Sequence, residues 1–130
     1  MADTDSILLS VRGFLGLKDV DAFDGQIIPL INSALRVLNQ NGAGTSISIE
    51  GDWETWLDFK DPLNEPVIDV FDSCKLFIMF KVKQLFDPPA PNTAGYLQSN
   101  IDEHLWRIRE AYNVPEVLRT NNTSEVYYGP

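Results

Sequence analysis

The sequence predicts an all-α fold, a small four-helix bundle with a long inserted loop and an extended C-terminal arm. Apolar residues recur at three- and four-residue spacings in four separate segments, and glycine, proline or Asn-Gly stands at the segment ends. What lies between is short or strongly polar. At 130 residues, 44% of them hydrophobic, the chain can form one core without help from metals or disulfides.

Residues 6–15 place Ile7, Leu8, Val11, Phe14 and Leu15 on one face, with Asp3, Thr4 and Asp5 as candidate caps and Gly16 as a stop. Gly13 weakens this helix by about 1 kcal/mol relative to alanine. After a polar hinge at 18–21, a second helix is expected over 24–40, where Ile27, Ile28, Leu30, Ile31, Ala34, Leu35 and Leu38 build a broad stripe that Asn41-Gly42 closes. Pro29 lies one turn inside it and should either delay its start or bend it.

From 42 to 66 the helical period is lost. Ile47 and Ile49 alternate with Ser46 and Ser48, leaving room for a small hairpin, and Trp53, Trp56, Leu57 and Phe59 follow among acids. A loop of this length in a small domain usually carries binding. Its large aromatics, Trp53, Trp56 and Phe59, serve either as a local mini-core or as contacts to a neighbouring subunit or partner.

The third helix, expected over 67–86, is the central one. Val67, Val70, Phe71, Cys74, Phe77, Ile78, Val82 and Leu85 cover one face and Leu76, Met79 and Phe80 another, so it should be buried on more than one side. Asp87-Pro88-Pro89 stops it. A fourth helix over 93–112 carries Leu97, Ile101, Leu105, Ile108 and Tyr112, with Glu103 and Arg107 four apart as an ion pair. Residues 1–113 therefore read as a helical domain and 114–130 as an arm. The arm's polar stretch ends in Val126, Tyr127 and Tyr128, an aromatic tip suited to docking on another chain.

Charge and composition narrow the function. Nineteen acidic against ten basic side chains give a net charge of -9, which disfavours tight binding to phosphate backbones. The basic pairs Lys81/Lys83 and Arg107/Arg109 lie in amphipathic segments, where solvated or ion-paired roles are expected. No apolar run is long enough to span a membrane. The N-terminus MADTDSILLS is acidic before it is apolar and does not read as a secretory signal, which points to folding in a cytoplasm.

Reactive chemistry is scarce. With one histidine, His104, no histidine metal cluster or relay can be built, and Cys74, the single cysteine, falls on the apolar face of the third helix, where a thiol is a poor nucleophile. Asp19, Asp21 and Asp24 miss the spacing of a calcium loop by one step. Glu50, Asp52, Glu54 and Asp58 read as surface acids of the long loop rather than as metal ligands, and no phosphate-binding glycine loop is present. The chain reads as a non-enzyme without cofactors.

The run Lys81-Val82-Lys83-Gln84-Leu85-Phe86-Asp87-Pro88-Pro89, followed after a turn by Glu103-His104-Leu105-Trp106-Arg107, resembles the head-tail connector (adaptor) proteins of tailed bacteriophages. Thr55-Trp56-Leu57-Asp58-Phe59 resembles that family's loop motif, and Ile31-Asn32-Ser33-Ala34-Leu35 with Asn39-Gln40-Asn41-Gly42 its second helix. His104 departs from the acidic or small residue common there. The resemblance implies a virion protein of the neck, present in the host cytoplasm before assembly, that forms a homo-oligomeric ring, typically a dodecamer. Such a ring lies between the portal protein and a stopper or tail-completion protein, and DNA passes through it without specific binding. In that setting the arm would meet the portal and Glu50, Asp52, Glu54 and Asp58 would line the channel or surface. The alternative from charge alone is an acidic DNA mimic or other host-interaction protein acting by binding.

Overall fold

The computed structural model describes residues 2–112. Five helices follow in chain order: α1 (Ile7–Phe14), α2 (Asp24–Gln40), α3 (Trp56–Phe59), α4 (Phe71–Phe86) and α5 (Pro91–Tyr112). The four longer ones are the expected bundle. No strand occurs among the described residues, whose single β-type pairing is an isolated antiparallel bridge between Ser6 and Thr55. The predicted C-terminal arm, including Val126, Tyr127 and Tyr128, lies outside the described residues.

Helix α1 is capped by Ser6 rather than by Asp3, Thr4 or Asp5. The Ser6 backbone is extended and its hydroxyl accepts the Leu9 N–H at 3.1 Å. At the other end Gly16 takes φ +79°, so that Gly16 N–H reaches Gly13 O at 3.2 Å and Leu17 N–H reaches Arg12 O at 2.8 Å. Helix α2 closes in the same way: Gly42, at φ +93°, donates to Asn39 O at 3.0 Å and Ala43 donates to Leu38 O at 2.9 Å. Both ends are Schellman motifs, in which a left-handed glycine satisfies carbonyls that the helix leaves open. Pro29 does not delay α2, which begins at Asp24 as expected. The Arg12 guanidinium pairs with the Asp24 carboxylate across the intervening turn, placing a negative charge on the first turn of α2, where the helix dipole favours it.

Helix α4 starts at Phe71, four residues later than expected. Asp69 accepts the Phe71 N–H at 2.9 Å in a short side-chain turn, which competes with helix just before the start. Val67, expected on the buried face, is consequently exposed, as is its neighbour Ile68. From Phe71 onward the double-sided burial holds: Cys74, Phe77, Ile78, Met79 and Val82 are all buried, and α4 packs against α1, α2 and α5. Leu85, expected on the buried face, is exposed. Helix α5 begins at Pro91, a position whose missing N–H costs nothing in the first turn. Ile101, Ile108 and Ala111 are its buried stripe, with Leu97, Leu105 and Tyr112 packed at the margin.

Candidate interaction surface

The loop between α2 and α4 folds back onto the bundle, and single side chains hold it there. The Asn32 amide of α2 brackets Ile49: its Nδ2 donates to Ile49 O at 3.0 Å, and its Oδ1 accepts the Ile49 N–H at 2.7 Å. The alternation of Ser46, Ile47, Ser48 and Ile49 is realised, with Ile49 buried and both serines exposed, but no hairpin forms. Asn32 supplies the two hydrogen bonds that a partner strand would have given. Further on, the Glu54 carboxylate accepts the Glu50 N–H at 2.8 Å and the Gly51 N–H at 3.3 Å. Asp58 accepts the Thr55 N–H at 2.9 Å in the capping box of α3.

The N-terminal segment seals the loop from the other side. Ile7 N–H donates to Glu54 O at 2.9 Å, Trp56 N–H to Asp5 O at 3.2 Å and Leu57 N–H to Asp3 O at 2.9 Å. This docking buries Trp56 and Phe59 completely. Trp56 donates its indole N–H to Ser10 Oγ at 3.1 Å, and the Phe59 ring lies so close over Gly44, at φ +73°, that any Cβ there would collide with it. Of the two roles open to them, Trp56 and Phe59 take that of the loop's own mini-core within the chain, because a segment this long needs an apolar centre to be held against water. Trp53 differs. Its ring lies close against Gly51 and is 65% exposed.

The four acids are likewise divided by structure. Glu50 and Asp52 are exposed, whereas Glu54 is half-buried and spends its carboxylate on loop backbone; Asp58, although exposed, caps α3. Glu54 and Asp58 therefore shape the loop.

Sequence reasoning missed a buried cation. Lys75, within α4, is only 4% exposed. Its ammonium lies 3.2 Å from Asp3 Oδ1, 3.8 Å from Asp72 Oδ1 and 4.4 Å from the centre of the Phe71 ring. A lysine inside a helix that is apolar on most sides was the available signal, since such a charge must find a partner.

The residues with reactive potential are quiet. Burial pushes the Cys74 thiol up to about 12, far from a thiolate at neutral pH. His104 Nδ1 shares a hydrogen bond with Ser73 Oγ at 3.2 Å, and the ring packs against Phe80. Burial first, and then the charge of Arg107, hold the imidazole below its ordinary value, with Glu103 acting in the opposite sense. Glu103, the nearest carboxylate in sequence, is engaged by Arg107 instead. Among the described residues no group of histidine, cysteine, aspartate or glutamate side chains is placed to hold a metal ion, and no helix is long and apolar enough to cross a membrane.

Several large apolar side chains are exposed, and some of them lie close to the start of α4 and to α5. Val67 and Ile68, at 81% and 68% exposure, precede α4, and Trp106, at 61%, stands on α5; Ile68 and Trp106 line one groove with Ser73, Arg107 and Glu110. An apolar groove with a charged rim is the make-up of a protein contact.

Residues 7–114 match the protein family described as "Phage connector protein". The match takes in all five helices and the loop. No curated protein and no solved structure matches the chain.

Proposed function

The chain belongs to the phage connector protein family, a structural family, and from that premise we propose that it is a head-tail adaptor subunit that assembles into a ring between the portal and the stopper or tail-completion protein. Membership implies contacts with other phage head or tail proteins and a place in the virion; the ring, its order and its partners are the proposed part. The observation that carries the reading is the extent of the family match, from the first helix through the last.

Physical features support it. A net charge of -9 suits a conduit through which DNA must slide without being held. Glu50 and Asp52 remain free to contribute to such a lining, and ring closure requires two different surfaces on each subunit. The exposed Trp53 and the groove at Ile68 and Trp106 are candidate contacts of that kind. In this reading 1–113 is the ring-forming domain and 114–130 the docking arm, with Val126, Tyr127 and Tyr128 burying themselves against the portal. Titration of the cognate portal with the full chain and with a chain lacking residues 121–130 tests the arm. The shortened chain should bind about tenfold more weakly or worse, a loss equivalent to about 1.4 kcal/mol. Unchanged affinity would refute the role given to the arm.

A further inference from the structure

Asn41-Gly42 is the single Asn-Gly pair in the sequence. In such a pair the glycine nitrogen meets little steric hindrance on its way to the neighbouring side-chain amide, so the pair is prone to deamidation in an unfolded chain. The fold holds this one in an unreactive shape. Asn41, the C-cap of α2, has φ -98° and ψ 13°, and its own Nδ2 donates to Val37 O at 2.8 Å. The would-be nucleophile, Gly42 N, donates its hydrogen to Asn39 O at 3.0 Å. On the outer side, Gly42 O accepts from Asn64 Nδ2 at 3.1 Å, and Tyr112 Cβ stands 3.2 Å from where a Gly42 Cβ would project.

Attack requires Asn41 ψ to turn far from 13°, so that Gly42 N comes over Asn41 Cγ. That rotation breaks both Schellman hydrogen bonds and pulls the Asn41 amide off Val37. We infer that Asn41-Gly42 is a deamidation site kept closed by the end of α2 and opened when Asn64 and the last turn of α5 release Gly42. On opening, hydroxide removes the Gly42 N–H proton, and the nitrogen bonds to Asn41 Cγ. The Cγ–Nδ2 bond then breaks, and Nδ2 leaves as ammonia after taking a proton from water. Water next adds to one of the two carbonyls of the resulting succinimide and cleaves its bond to the ring nitrogen, giving aspartate or isoaspartate. Either product puts a carboxylate against the last carbonyls of α2, which the helix dipole disfavours, and removes the donor to Val37. Closure of the helix end after such an event is therefore weakened, and the change does not reverse.

The test follows the tryptic peptide 37–60 by mass spectrometry during incubation of the full chain at mildly alkaline pH, with and without guanidinium. The native chain should convert about tenfold more slowly than the unfolded one, or slower still, as expected for a reaction that waits on local opening. Asn64→Ala, checked for retained helix by circular dichroism, should speed native conversion several-fold. Equal rates in native and unfolded chain would overturn the inference, as would a native rate that a folded Asn64→Ala protein leaves unchanged. If Asn64→Ala does not fold, the comparison of native with unfolded wild type decides alone.

Discussion

Replacing Asp3 by asparagine tests whether the buried Lys75 is held by its carboxylate partner. Asp3 reaches from the N-terminal segment to the ammonium at 3.2 Å, while the second partner, Asp72, is 3.8 Å away with its side chain 93% exposed. Removing one member of a buried pair costs about 3–5 kcal/mol, because the other charge is left in poor surroundings. Asp3 is itself 43% exposed and Lys75 keeps the Phe71 ring and Asp72, so solvent screening reduces the expected loss to about 1–3 kcal/mol. Lys75→Met should cost less than Asp3→Asn, since a thioether of similar length fills the same space and needs no counter-charge. In the double variant the two changes should not add: once the ammonium is gone, Asp3→Asn should have little further effect. Guanidinium unfolding followed by tryptophan fluorescence reads all three, Trp56 being buried in the same region. A loss below about 0.3 kcal/mol for Asp3→Asn in the Lys75 background, or the same loss in both backgrounds, would refute the argument.

Other substitutions probe the loop and the helices. Gly44→Ala should destabilise by about 2–4 kcal/mol in the same assay, since it forces alanine into positive φ and drives its Cβ into the Phe59 ring, whereas Gly13→Ala, with open space around it inside α1, should stabilise by about 0.5–1 kcal/mol. Asn32→Ala leaves the N–H and C=O of Ile49 without partners and should cost about 2–3 kcal/mol; Asn32→Asp, which keeps only the acceptor, should fall between wild type and alanine. For His104, the folded state holds the imidazole below its ordinary 6.5, so the unfolded chain takes up the proton first. Its contribution to stability is complete above 6.5 and is lost as pH falls through the lower folded-state value. The difference in stability between wild type and His104→Gln should therefore shift against wild type on acidification across that window.

The helices were legible because each depends on a local pattern. The stripe from Ile27 to Leu38 and the Asn41-Gly42 stop gave α2 its observed bounds, and Pro88 and Pro89 ended α4 where the backbone requires it. The four-residue error at the start of α4 had a local cause too, the side-chain turn at Asp69, whose signal was weaker than the apolar spacing around it. The loop was less legible, because its contacts are distant in sequence. Nothing near Ile49 announces Asn32, seventeen residues earlier, and nothing near Lys75 announces Asp3, seventy-two residues away. Trp56 and Phe59 could be read as anchors or as core until the N-terminal segment was seen to cover them. Trp106 carries the opposite lesson: it lies off the stripe of α5, and its exposure follows from that spacing alone.

The proposal that this connector works as a subunit of a ring is tested most directly by the mass of the species formed by the purified full chain, alone and after addition of its portal. Light scattering coupled to size exclusion should show a closed oligomer on the portal, with as many copies of this chain as the ring has positions and twelve as the expected number. A chain that stays monomeric at every ratio and leaves the portal's mass unchanged would contradict the account.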